Sequence, residues 1–282
     1  MGNIAFPIQL PITYYSLLIF FMIKEWFANW FDSPYYHILY QNHNAEDAQR
    51  FIDNLLHHLT ISDAWFQNSP HTDSEIQQHK SEIRILDLAC GKGRHSRYMA
   101  DKGFDVTGLD LSESSIKYAQ QFEMDTLDFY QHDMRKPFRI NYFDYIFNFF
   151  TSFGYFEHDE DNLVTLKNVV NGLKAGGIFI LDYFNTQWVL DTLKKDYIQT
   201  TSGIDFHIKK RVIDGHVIKK IAFHADGEDF KFQEKVRLFT LKDFQLLFDK
   251  AGLKIVDLFG DYQLNPFNEK TSKRLIIKAI KK

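Results

Sequence analysis

From residue 83 onward the chain alternates two polarity patterns. Short apolar runs at 83–89 (IRILDLA), 105–110 (DVTGLD), 127–131 (LDFYQ), 142–150 (YFDYIFNFF) and 177–184 (GIFILDYF) are separated by helically spaced segments at 94–102, 112–122 and 161–174. Runs of this length bounded by turns predict buried strands, and the three- and four-residue spacing between them predicts amphipathic helices. Regular alternation of the two predicts βαβ units with right-handed crossovers and therefore a parallel sheet. Upstream, Ala48, Phe51, Ile52, Leu55, Leu56 and Leu59 mark one face of a helix over 45–59, and the polar, turn-rich stretch 67–81 marks a first boundary.

After residue 200 the pattern changes. Segments 206–213 and 216–223 flank Asp214-Gly215, a strong hairpin signal, and Asp226-Gly227 leads into 232–239, so three antiparallel strands are expected. Helical spacing returns at 241–250, Gly252 stops it, and 253–259 and 274–280 read as two closing strands.

The N-terminus stands apart. Residues 10–23 form an apolar run that is short for the ~20 residues of a membrane-spanning helix, and no basic residue precedes Lys24. Three readings are open: packing on the body of the protein or loose order, a weak membrane contact, or a natural start at Met22. The last is favoured, because residues 1–21 carry no charged side chain and an ordinary amphipathic pattern begins at Met22.

Composition narrows the function classes. A formal charge of −4 without a long basic block argues against a main affinity for nucleic acid. A single cysteine, Cys90, excludes an internal disulfide and a multi-cysteine metal site, fits a cytoplasmic setting, and leaves no metal centre expected. Aromatic residues make up 16% of the chain. They cluster at 26–40, 142–156 and 183–188.

The candidate chemistry begins at Asp87-Leu-Ala89-Cys90-Gly91-Lys-Gly93-Arg94-His95, a strand running into a glycine turn and a helix. Glycine lets the backbone approach a ligand closely, and the helix N-terminus offers free N–H groups. Ser96 replaces the third glycine of a dinucleotide fingerprint, which makes NAD a poorer fit. Asp110, with Leu111 beside it, ends the next strand, where a carboxylate can accept ribose hydroxyls; Asp133 and Met134 follow the third strand, and Asn148 and Phe149 the fourth. Each acid also has a purely structural alternative, as a helix cap or solvated loop carboxylate.

Taken together these residues resemble class I S-adenosylmethionine-dependent methyltransferases, over residues 83–184 and again in the closing strands. The resemblance implies an α/β fold: a Rossmann-like, doubly wound, mostly parallel seven-stranded sheet with an antiparallel closing strand, here with an inserted antiparallel β lid. It also implies S-adenosyl-L-methionine as cofactor, with Asp87 and Ala89–Gly93 at its methionine part, Asp110 at the ribose, Asp133 and Met134 at the adenine, and Phe149 adjacent. Ala89 stands where that family most often has glycine, and Ala175 where it has proline. The expected organisation is an N-terminal helical cap (1–80), a cofactor domain (81–203 and 241–282) and the insertion (204–240), which serves as a lid or an oligomer contact.

Methyl transfer needs positioning and exclusion of water more than an acid or base. The lone Cys90 lies inside the glycine turn, which excludes the carbon-5 pyrimidine class, and Asn148-Phe149-Phe150-Thr151 lacks the Pro-Pro signature associated with amino-group methylation of adenine or glutamine. A small-molecule N- or O-methyltransferase is expected, with an oxidoreductase or a non-catalytic sensor as alternatives. Tyr36 and Tyr40 are expected to reach the pocket, and Tyr155, His158 and Tyr183 are nominated as proton acceptors.

Overall fold

The computed structural model describes residues 26–41, 45–62 and 71–282. The segment 1–21, with the reading that the protein starts at Met22, lies outside the described residues.

Helices α1 (Trp26–Phe31) and α2 (Pro34–Tyr40) form a short cap, followed by α3 (Ala45–Ser62) and α4 (Asp73–Glu82). The alternating region then gives β1 (Arg84–Leu88), α5 (Arg94–Asp101), β2 (Asp105–Asp110), α6 (Glu113–Ala119), β3 (Leu127–Gln131), β4 (Phe143–Asn148), α7 (Asp159–Gly172) and β5 (Leu173–Phe184). Helix α8 (Thr186–Thr192) leads to β6 (Asp196–Thr201), β7 (Ile204–Ile213), β8 (His216–Ala225) and β9 (Glu228–Arg237), and α9 (Leu241–Ala251), β10 (Leu253–Phe259) and β11 (Arg274–Lys281) complete the chain.

The main sheet has seven strands in the order β10-β11-β5-β4-β1-β2-β3. Strands β1 to β5 pair in parallel, and β11 enters antiparallel between β5 and β10. The order reverses at β1, so the loops after β1 and β4 diverge and leave a crevice at the carboxyl ends of the strands. One apolar layer packs α3, α5 and α6 on the sheet through Phe51, Ile52, Met99 and Ile116. The other packs α7 and α9 through Leu166, Val169, Phe244 and Phe248. All six apolar positions expected on one face of the 45–59 helix are buried.

The second sheet runs β6-β7-β8-β9 and is antiparallel throughout. It has one strand more than the three expected and begins at Asp196, ahead of the expected boundary at 204. Strand β6 escaped notice because its exposure merely alternates, without a strong apolar run. The sheet packs its Phe206, Ile208, Ile221 and Phe223 against Trp30 and Leu39 of the cap.

Candidate active site

A cleft opens at the carboxyl ends of the parallel strands. Its floor is the glycine turn, one side is the loops after β2 and β3, the other is the segment after β4, and the cap supplies Phe31, Tyr36 and His37. Among the described residues, the second sheet contributes nothing to the lining; it reaches the cleft only through the cap packed against it.

The glycine turn and Asp110 shape one another. Asp110 accepts the Gly91 N–H at one carboxylate oxygen and the Ser112 N–H at the other, both at 2.8 Å. Each oxygen keeps lone-pair capacity, so the carboxylate can still accept two hydroxyl donors from the cleft. Burial raises its pKa, against the backbone hydrogen bonds that lower it. Ala89 has φ 66°, the conformation for which glycine is the usual choice, and a Cβ built on Gly91 would meet nothing within 4 Å. Gly93 opens α5 at φ 72°, and a Cβ there would lie 2.4 Å from the Phe129 ring, so this position admits only glycine.

Asp133 and Met134 line the opposite end. Burial raises the Asp133 pKa, but the Arg135 guanidinium, which donates to it from Nη2 at 2.7 Å and Nε at 3.0 Å, brings the net shift below the usual carboxylate range. Arg135 therefore holds this carboxylate ionised and fixed in direction, a partner the sequence did not single out.

Several expected site residues lie elsewhere. Asp87 is buried under the turn, where it accepts the Ser96 hydroxyl at 2.6 Å, and burial pushes its pKa up to about 6. Cys90 and Gly93 sit within the turn without lining the cleft, and burial raises the Cys90 thiol. Asn148 is buried, with Nδ2 donating to the Leu88 carbonyl at 2.9 Å and Oδ1 without a partner among the described residues. Phe149 turns inward onto Phe51, 5.3 Å between ring centroids, and Phe150 takes the position on the cleft. His95 lies behind Phe150, stacked at 4.9 Å, with its pKa lowered to about 3 by burial and Arg94. Leu111 lines the cleft.

The aromatic candidates divide. Tyr36 and Tyr155 line the cleft, each edge-on to Phe31 at 5.1 and 5.2 Å. Burial, with Glu234 nearby, raises both phenols, so they stay protonated at neutral pH. Tyr40 misses the lining: its hydroxyl donates to Glu234 Oε1 at 2.5 Å and accepts from Lys219, in a buried cluster that also takes the Trp30 indole N–H at 2.8 Å. Tyr183 is wholly buried and donates its hydroxyl to the Arg237 carbonyl, and His158 is exposed at the start of α7, away from the cleft. Both are corrected as proton acceptors, because alternation along β5 points Tyr183 into the core beside α9 and His158 lies beyond the turn that carries Tyr155 and Phe156. The aromatics at 183–188 likewise do not border the cleft.

Sequence reasoning missed His37, which lines the cleft and whose pKa is lowered to about 4 by burial and by Lys92. It also missed Asp32, which accepts the Ser112 hydroxyl at 2.8 Å and the Ser114 N–H at 3.1 Å and so ties the cap to the loop bearing Asp110. No local signal distinguishes either residue from an ordinary surface polar group.

The sheet order, a reversal point at β1 and a cleft built on a glycine turn and a strand-end acid define a nucleotide-type cofactor fold. The methyltransferase domain family matches residues 45–258, and the chain belongs to that family. It is 30% identical over 217 residues to the Bacillus subtilis (strain 168) protein YqeM, itself named only provisionally as a methyltransferase, covering 70% of this chain and 84% of that one. It is 25% identical over 185 residues to a dTDP-3-amino-3,4,6-trideoxy-alpha-D-glucopyranose N,N-dimethyltransferase of Streptomyces venezuelae, covering 62% of this chain and 77% of that enzyme. Among solved structures, an S-adenosylmethionine-dependent methyltransferase from Clostridium acetobutylicum superposes with a TM-score of 0.67 at 19% identity, over 87% of this chain and 95% of that one. The protein is thus an S-adenosylmethionine-dependent methyltransferase. No helix among the described residues is long and apolar enough to cross a membrane, and no group of three or more potential metal ligands occurs among them.

Proposed function

We propose that the chain methylates a nitrogen or oxygen of a small molecule bound in this cleft, with Asp110, Asp133, Met134 and the glycine turn holding the donor. The observation that carries the reading is that the donor-side residues and the aromatic wall of Phe31, Tyr36, Tyr155 and Phe156 line one cleft. The residues fit such a donor: Asp110 retains acceptor capacity for two hydroxyls, Asp133 is held as an anion for an amino group, and among the described residues nothing fills the space above Gly91. When bound, S-adenosylmethionine supplies an electrophilic methyl group that already carries its leaving group.

The protein's own work is then to aim an acceptor lone pair and exclude water. Ring faces favour a nearby cation by about 0.5–2 kcal/mol, which suits an aromatic wall beside a sulfonium or an amine. Tyr36 and Tyr155 remain neutral and can donate or accept one hydrogen bond each, which orients the acceptor. His37 remains an unprotonated imidazole at neutral pH, so it can accept a hydrogen bond from the substrate, while its lowered pKa of about 4 makes it a weak base. The second sheet acts by fixing the cap, through Trp30 and Tyr40 on Glu234, so that the cap closes over the cofactor. The named activity of the Streptomyces venezuelae relative, on an aminosugar, supports a small amine as acceptor.

Incubating the protein with methyl-labelled S-adenosylmethionine and a fractionated cell extract tests the reading. Label in a low-molecular-weight product is expected. Label confined to RNA or protein would overturn it.

A further inference from the structure

Two consecutive residues in the segment after β4, Phe150 and Thr151, have φ 56° and 61°. Neither is glycine, and Thr151 is β-branched, the residue type least suited to a left-handed backbone. Strained backbone of this kind persists only where its surroundings over-determine it, and it gathers at working sites. Both residues line the cleft, and Phe150 stacks on His95 of the helix opened by the glycine turn, so they belong to the glycine-turn end.

The restraint comes from two distant strands. Asp182, near the end of β5 and wholly buried, accepts the Phe150 N–H at 2.8 Å with its carboxylate and the Thr151 N–H at 3.0 Å with its carbonyl. Arg274, the first residue of β11, donates from Nε to Asp182 Oδ1 at 2.7 Å and from Nη2 to Thr151 Oγ1 at 3.0 Å. Tyr262 adds a hydroxyl bond to Asp182 Oδ2 at 3.3 Å. Only the antiparallel direction of β11 brings its first residue to the carboxyl end of β5, where Arg274 pairs with Phe184.

We infer that Arg274 is a positioning residue for the cofactor cleft, using Asp182 and Thr151 to hold the left-handed segment that presents Phe150 and Thr151 to the methionine end of the donor. A buried ion pair is weak evidence for stability in its own right, since apolar replacements often serve as well. Here the pair's hydrogen bonds converge on a strained two-residue segment of the cleft wall. The inference rests on the donor orientation proposed above.

The test compares S-adenosylhomocysteine with adenosine, which lacks the amino-acid end, by calorimetry on Arg274→Lys, Thr151→Val, Thr151→Ser and the Arg274→Lys/Thr151→Val pair. Thermal unfolding is recorded for each. Lysine keeps the charge but loses the fork, valine keeps the shape but loses the hydroxyl, and serine keeps the hydroxyl. Arg274→Lys and Thr151→Val are expected to weaken S-adenosylhomocysteine about tenfold or more while adenosine changes less than about twofold, as loss of one charge-assisted hydrogen bond predicts. Thr151→Ser is expected to stay near wild type, and the double variant to lose little beyond either single one. If Arg274→Lys does not fold, the valine and serine variants decide alone. Equal loss for both ligands, tracking melting temperature, would reduce the network to a structural role and overturn the inference, as would unchanged S-adenosylhomocysteine binding. Wild-type protein that binds adenosine but gains nothing from the amino-acid end would instead refute the donor orientation and the inference with it.

Discussion

Asp87 offers a test in which the magnitude follows from the structure. Its carboxyl is fully enclosed beneath the glycine turn; burial raises its pKa to about 6 against the ordinary 3.8, the Ser96 hydroxyl pulls it down in part, and Asp110 pushes it further up. The folded protein therefore binds this proton more tightly than the unfolded chain does. Stability from the group is fully present below pH 3.8 and is lost as pH rises through about 6. A shift of roughly two units at 1.36 kcal/mol each makes the full cost about 3 kcal/mol at pH 8, and the same linkage gives about 1.5 kcal/mol at pH 5. Asp87→Asn keeps an acceptor for Ser96 without the charge. The stability gap between variant and wild type should thus widen in the variant's favour by about 1.5 kcal/mol from pH 5 to pH 8, or about 3–6 °C in melting temperature for a domain of this size. His95 and His37, lowered to about 3 and about 4, run the opposite way, losing their contribution as pH falls below 6.5, but they are common to both proteins and cancel in the difference. Urea unfolding of both proteins at the two pH values is the assay. A gap that is constant with pH, or larger at pH 5, would refute the claim that Asp87 is held against ionisation.

Asp110→Asn should weaken S-adenosylhomocysteine about 10- to 100-fold by calorimetry, the value of hydrogen bonds to a charged group, and should also lower the melting temperature, because the amide leaves one of the two backbone N–H donors at Gly91 and Ser112 without its acceptor. Gly93→Ala should destabilise the fold by more than about 2 kcal/mol, since it combines a left-handed φ with a clash against Phe129, and thermal unfolding will show it. His158→Ala should leave donor affinity and turnover unchanged, because the side chain is exposed and outside the cleft; a tenfold fall in either would return it to the mechanism.

Periodicity was enough for the parallel sheet, because β1, β2, β4 and β5 are buried along most of their length, the edge strand β3 alternates buried and exposed positions, and the intervening helices each keep one apolar face. The glycine turn, Asp110 and Asp133 were legible for a related reason: their chemistry depends on position at strand ends, which chain order alone specifies. The aromatic excess was legible only as clusters. Whether Phe149 or Phe150 faces the cleft turns on two residues with positive φ, and whether Tyr155 or Tyr183 does turns on strand alternation, and neither is written in composition. Cap, second sheet and closing strand meet through contacts between residues 80 to 204 positions apart: Asp32 with Ser112, Trp30 with Glu234, Arg274 with Thr151. The sequence by itself determined the order of elements and the acids that end the strands, since these are local. Tertiary structure alone decided which aromatic rings form the wall and what holds the strained loop, because burial and long-range hydrogen bonds exist only once distant segments have packed.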